Sequence, residues 1–381
     1  MKRNIACSLI LIAAAHGRET KKQGLLENVV ANYADLVLAN YRDALETAES
    51  MEQAIADFAA KPSRERLLLA RSAWLAARSP YGQSEVFRFY EGPIDDEQNG
   101  PEGLLNSWPM DESYVDAVKG NPNSGIIRNP SKYPKIDATL LLGLNQKDGE
   151  TNVSCGYHAI EFILWGQDLA KGSAGKRALT DFTKDKHARR RLDYLKACSG
   201  LIVGQLDGLV GEWEQGKNNY RKRFLSEKPK EGLRKILQGM GMLSGFELSG
   251  ERMLVAYETR SQEDEHSCFS DNTHNDIAFN AKGLLNVYEG KYVHSVSRKV
   301  TSGPGIRELL KETAPGIGKK IDEAIRRSYL HALSIPAPFD MAIEDRDGRA
   351  KIKQTIDSLV LLAKEIKGFA DHLKIDIAIT E

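Results

Sequence analysis

The chain has 381 residues, 41% of them apolar, and its 53 Lys and Arg are balanced by 53 Asp and Glu, so the formal net charge is zero. A chain of this size buries a substantial core as one large domain or two smaller ones. The charge balance argues against a nucleic-acid partner and against adsorption to an anionic membrane surface, because neither would find a basic field to attract it. Helix formers dominate and alternating runs of β-branched and aromatic residues are scarce, which predicts an all-α fold.

In chain order, Lys2 and Arg3 precede an apolar run from Ile5 to Ala15 and a polar stretch from His16 to Gln23. This is the pattern of an export signal, so residues 1–23 are expected to be a signal peptide and leader. The apolar run is too short to span a bilayer, and no later segment has the length of a transmembrane helix. Cys7 lies ahead of most of the run, which argues against a lipoprotein cleavage site. Beyond the leader remain Cys155, Cys198 and Cys268. These allow at most one internal disulfide, for which Cys155 and Cys268 are a candidate pair; free buried thiols are the alternative.

From Leu26 to Phe58 apolar residues recur at Val29, Val30, Tyr33, Val37, Tyr41, Ala44, Ala48, Met51 and Ile55, the stripe of a long amphipathic helix. Pro62 and Ser63 break it, and a second helix is expected from Arg64 toward Tyr90, kinked or restarted at Pro80. Between Gly92 and Glu150, frequent Gly, Pro, Asn and Asp predict a long irregular insertion of turns and short helices. Helix returns at about Val153 to Trp165 and Lys186 to Trp213. The charged stretch Glu214 to Lys230 then suggests a boundary between two helical-bundle domains, 24–214 and 215–381. Further helices are expected at about Gly232 to Arg260, Asn275 to Tyr288, Gly305 to Ser334 and Ala350 to Leu373.

Within the third of these helical segments His158 and Glu161 stand three residues apart among apolar neighbours. At that spacing both point from one helix face. Neutral imidazole and carboxylate are ligands for zinc or iron, and Glu85 and Glu247 are candidate further donors. The plain alternative is a buried His–Glu hydrogen bond with no metal. A short echo, Gly156-Tyr157-His158 against Gly245-Phe246-Glu247, puts a second Gly-aromatic-polar start on an apolar helix.

The stretch Glu263 to Asp276 is dense in oxygen and nitrogen donors, with His266, Asp271 and His274 as candidate ligands. Its alternative is a solvated loop in which Thr273 caps the next helix. Other chemistries find no support. The protease patterns His-Glu-x-x-His and His-x-x-Glu-His are missing, Gly303-Pro304-Gly305 lacks the lysine of a phosphate loop, and no nucleophile elbow occurs. Glu-x-x-His is not repeated on two helices as a ferritin-like diiron centre requires.

Taken together, Gly156-x-His158-x-x-Glu161, the blocks Trp74 to Arg78, Tyr81 to Glu85 and Gly92 to Asp95, and the segments Gly245 to Arg252 and Glu263 to Asp276 resemble the imelysin family, in its iron-regulated protein A branch. The resemblance covers nearly all of the chain after the leader. It implies two bundle-like domains with His158 and Glu161 in a cleft near their interface. It also implies export to the periplasm or cell surface and a role in bacterial iron acquisition beside an iron-uptake membrane partner. The implied cofactor is a divalent or trivalent metal ion, iron or zinc, at His158, Glu161, Glu85 and Glu247. The competing activity is zinc-dependent peptide hydrolysis, which would also need a general base that no residue in the sequence singles out. A cleft for a partner protein or loosely held haem is a third reading; covalent haem attachment has no Cys-x-x-Cys-His to use.

Overall fold

The computed structural model describes residues 2–379, with side chains from residue 22 onward. Nearly all of the expected leader, Cys7 included, therefore lies outside the described side chains. Helix α1 (Lys2–Ala60) carries the anticipated stripe, and Val29, Tyr33, Val37, Tyr41, Ala44, Ala48, Met51, Ile55 and Phe58 are all buried. Ser63 ends the break after it, its hydroxyl accepting the Arg66 N–H to cap α2 (Arg64–Ser84). The helix runs through Pro80 without restarting and closes in a single 3-10 turn, Glu85–Phe87.

The insertion is irregular as expected, with four short helices at Glu102–Leu105, Glu112–Val115, Gly125–Arg128 and Ala138–Leu144. Every residue of α3 (Tyr157–Trp165) is buried. Next, α4 (Ala188–Trp213) buries Leu192, Leu195, Cys198, Ile202, Leu206, Leu209 and Trp213 along one stripe. After α5 (Pro229–Met242) the chain continues as a π-helix, Leu243–Leu254, before one further α-turn, Val255–Thr259. Then come α6 (Thr273–Glu289), α7 (Pro315–Ser334) and α8 (Arg346–His372). The expected helix from Gly305 to Ser334 is divided, because Pro315 opens α7 after a separate helix Ile306–Thr313. A two-stranded antiparallel hairpin, β1 (Lys291–Val293) and β2 (Val300–Ser302), was not anticipated; three-residue strands are too short to show a period of two.

The fold is all-α apart from that hairpin. Helix α1 packs on α2 and α4, α7 packs on α8, and α8 also covers the π-helix. Helix α6 crosses between the groups, touching α2 on one side and α7 on the other. One contiguous apolar core runs from Val29 to Ile377. Among the described residues no helix is long and apolar enough to cross a membrane.

The α2–α6 contact is unusually close. A Cβ placed on Gly283 of α6 would lie 2.3 Å from the Gln83 carbonyl oxygen of α2. Gly283→Ala should therefore lower unfolding free energy by about 1–3 kcal/mol in urea titrations, the usual cost of overpacking. Gly204→Ala, in α4 with nothing within 4 Å of the added carbon, should instead raise it by up to about 1 kcal/mol through helix propensity.

Candidate metal centre

Helix α3 is aimed by its first residues. Gly156, at φ +101°, turns the chain into the helix, and a Cβ there would meet the Leu105 carbonyl oxygen at 2.8 Å, so no other residue fits. The Trp74 indole N–H donates to the Tyr157 carbonyl at 2.9 Å and holds α3 against α2.

His158 and Glu161 meet as their spacing requires, with Nδ1 of the ring 2.9 Å from Oε2 of the carboxylate. The other carboxylate oxygen accepts the Ser270 N–H at 2.9 Å and the Ser270 hydroxyl at 2.7 Å. Beside this dyad stands a second. His266 Nδ1 lies 2.9 Å from Asp276 Oδ2, and the two imidazoles touch edge to face with centroids 4.6 Å apart.

Asp276 is the most heavily bonded carboxylate of the site. It accepts from Arg78 Nη2 at 3.0 Å, Arg78 Nε at 3.3 Å, the Ser267 hydroxyl at 2.6 Å and Asn272 Nδ2 at 3.1 Å. Arg78 in turn lies among the rings of Trp74, Tyr81 and Tyr157 and donates to Asn106 Oδ1 at 2.6 Å.

From Asn106 the network passes to the other two sequence candidates. Asn106 Nδ2 donates to Glu85 Oε1 at 3.3 Å, and Glu85 Oε2 accepts from Arg252 at 2.7 Å and Arg88 at 3.0 Å. Arg252 also donates to Glu247 at 2.8 Å and to Asn280 Oδ1 at 2.7 Å. The structure thus joins Glu85 to Glu247 around two arginines and His158 to Glu161 directly. The two pairs are linked through His266, Asp276, Arg78 and Asn106. Among the described residues no three His, Cys, Asp or Glu side chains are grouped as a metal-ligand set.

Charge follows from these contacts. Burial, with His266 and Arg78 nearby, drives the His158 pKa well below its ordinary value, and burial with Arg252 brings His266 down to about 4. Both rings are neutral at pH 7, the form that ligates a metal. Burial pushes Glu161 up to about 8. Burial would also raise Asp276 and Glu85, but Arg78 and His266 hold Asp276 well below the carboxylate range, while Arg252 and Arg88 bring Glu85 to about 2.

The donor set fits a metal at His158. Its Nε2 is buried and has no hydrogen-bond partner, while Nδ1 is held by a carboxylate, as ligating histidines commonly are. His266 likewise has a carboxylate, that of Asp276, behind it and lines a cavity of about 310 Å³ with Arg88, Glu102, Trp108, Glu247 and Arg252. A larger groove of about 530 Å³ elsewhere is lined mainly by leucines and holds none of this chemistry.

The segment Glu263 to Asp276 is not a solvated loop. Glu265 to Phe269 are buried, and the Thr273 hydroxyl accepts the Ser267 N–H at 3.0 Å. His274 Nδ1 is buried without a partner but has no part in the two dyads. Cys155, Cys198 and Cys268 are free and buried, so the candidate Cys155–Cys268 bridge is not formed. Sequence reasoning missed Arg88 and Asn106. Arg78 could have been traced further, since an arginine on the apolar face of α2 requires a buried acid somewhere in the chain.

Fold and site together define a class: an all-α protein whose interior sets a His-x-x-Glu pair beside a network of arginine-matched carboxylates. The family model of imelysin, peptidase family M75, matches residues 37–366, and the chain belongs to that family. Over 341 residues it is 25% identical to a protein named iron-regulated protein A from Synechococcus elongatus, covering 87% of this chain and 82% of the relative. It also resembles a crystal structure from Parabacteroides distasonis assigned as an iron-regulated protein A precursor, with a TM-score of 0.71 and 19% identity over 92% of this chain and 95% of that one. That second likeness concerns the fold alone.

Arg78→Met should cost about 3–5 kcal/mol of unfolding free energy, since it strands Asp276 as a buried unpaired charge. Glu85 has a folded pKa of about 2 against an ordinary value of 4.5. Its ionisation therefore stabilises the fold above pH 4.5, and that contribution is lost as pH falls from 4.5 toward 2. Glu85→Gln should lower the urea midpoint at pH 7 and flatten the decline between those two pH values.

Proposed function

We propose that this imelysin-family protein is exported and binds a metal ion, iron in the first instance, as a component of bacterial iron acquisition. His158 supplies the ligating nitrogen, Glu161 orients the ring from behind, and His266 is the adjacent second nitrogen donor. The observation that carries this reading is the buried, partnerless Nε2 of a neutral His158. A buried imidazole nitrogen without a partner is costly, and in the tautomer with Nδ1–H facing the Glu161 carboxylate a metal ion would relieve it. The Synechococcus relative is named for regulation by iron, which makes iron the first metal to test, and the Lys2-Arg3 and Ile5 to Ala15 leader supports export. Acquisition would also require a membrane partner to pass the metal on.

In this reading Glu247 lines the cavity and Glu85 stands behind it, and neither acts as a ligand because Arg88 and Arg252 already neutralise them. The competing zinc peptidase reading needs a carboxylate free to take a proton from water. Glu161, the acid nearest His158, has both oxygens engaged by His158 and Ser270.

The test is metal content by mass spectrometry, with peptide hydrolysis assayed on the same samples. His158→Ala should lose bound metal, Glu161→Gln should weaken affinity by about 10–100-fold, and Glu85→Gln should keep the metal. Unchanged metal content in His158→Ala would overturn the assignment. Metal-dependent hydrolysis abolished by His158→Ala and Glu161→Gln would favour the peptidase.

A further inference from the structure

A second group of buried acids lies where the loop after α3, the strap before α6 and the short helix Phe339–Glu344 come together. The loop is tied to the strap by the Gly175 N–H donating to the Phe269 carbonyl at 2.9 Å and by Gln262 Nε2 donating to the Asp168 carbonyl at 2.7 Å. It is tied to the helix by the Gly172 N–H donating to Asp340 Oδ2. These bonds bring together Asp168, Glu265, Asp271 and Asp340.

Asp168 is 5% exposed and Glu265 1%. Asp168 Oδ1 accepts the Ala170 N–H at 3.2 Å, but its Oδ2 is buried and has no partner. Glu265 Oε1 is likewise buried and partnerless. Asp340 is satisfied by two backbone N–H groups, those of Gly172 and Met341.

Of the other buried acids three are matched with arginine, while Asp43 and Glu161 are met by hydroxyl, backbone N–H and imidazole groups. Asp116 has Arg128, Arg177 and Arg191; Asp276 has Arg78; Glu85 has Arg88 and Arg252. At the second cluster no arginine plays that part. Burial with Asp340 and Asp168 pushes Asp271 up to about 7, and Lys176 offsets Asp168 alone. Asp168 and Glu265 each bring a carboxylate and an unbonded oxygen into the interior. A cation removes both deficits at once.

We infer that Asp168 and Glu265, with Asp271 and Asp340 beside them, hold a hard divalent cation of the Ca²⁺ or Mg²⁺ class at a site separate from His158. Two carboxylates leave the remaining positions to water, so the ion would keep part of its water shell. Such partial hydration is usual for Mg²⁺ and common for Ca²⁺. Its structural consequence is to lock the loop that follows α3 to the strap that carries His266 and Ser270.

The experiment uses the full chain stripped with EDTA, with thermal unfolding followed against CaCl₂ and against MgCl₂ at matched ionic strength, and calorimetry for stoichiometry. A saturable rise in Tm with one ion bound per chain is expected, because a ligand of the folded state alone stabilises it. Asp168→Asn and Glu265→Gln should each weaken that binding at least tenfold, whereas His158→Ala should leave it intact. The two variants sit on different elements, so misfolding of one leaves the other to decide. Absence of a saturable shift in the parent protein would overturn the site, as would a shift that survives in both variants. Failure of the His158 reading would leave this result unaffected.

Discussion

The Arg78–Asp276 ion pair is the constraint on which the interior depends. Both side chains are 1% exposed, so neither charge has water to fall back on. Removing two ions from water costs several kcal/mol each, and their attraction repays that only with good geometry and every remaining group bonded. Here Arg78 reaches Asp276 twice and Asn106 once, with three aromatic faces around the guanidinium. Asp276 gathers Ser267, Asn272 and His266 as well. The pair therefore joins α2 to α6 and holds the buried strap between Glu265 and Ser270. The close approach of Gln83 and Gly283 lets these two helices meet near enough for the pair to form.

That constraint accounts for the form of the histidine site. His266 is oriented by Asp276, and Asp276 is fixed by Arg78, so the second ring inherits its position from the ion pair. His158 is oriented from the opposite side by Glu161, whose outer oxygen is pinned by Ser270 on the same strap. Two dyads thus approach each other from separate elements, each with its carboxylate behind the ring. A site built this way is preorganised, and its side chains need not reorganise when a ligand arrives.

The sequence made the long helices legible because their apolar residues recur on one face over many turns, as Val29 to Phe58 and Leu192 to Trp213 show. His158 and Glu161 were legible for a related reason: three residues along a helix is a local distance. What joins them to the rest is not local. Asp276 meets Arg78 across 198 residues and Ser270 meets Glu161 across 109, separations on which helical periodicity is silent. Glu85 and Glu247, the further donors the sequence suggested, stand near each other, and the arginines that claim them decide what they do. Arg252 stands close to Glu247 in sequence; Arg88 and Asn106 carry no pattern of their own. The hairpin at Lys291–Ser302 escaped for want of length, and the burial of His266 to Phe269 escaped because a polar composition reads as a surface.

The π-helix Leu243–Leu254 explains how the later helices reach this network. Its hydrogen bonds run from i to i+5, which widens the turn and brings residues five apart toward one side. Glu247 and Arg252 have that separation, and they pair. An α-helical turn would rotate one of them away from the other, and Arg252 would then not serve Glu85, Glu247 and Asn280 together. The opposite side of the same helix is crowded, since a Cβ on Gly245 would lie 2.6 Å from Ile379 Cγ2 and 2.7 Å from Ala363 Cβ. Close packing on α8 and the i to i+5 pairing act on opposite sides of one element. The widened turn therefore connects the α8 contact directly to the cavity wall and, through Glu85 and Asn106, to the Arg78–Asp276 pair.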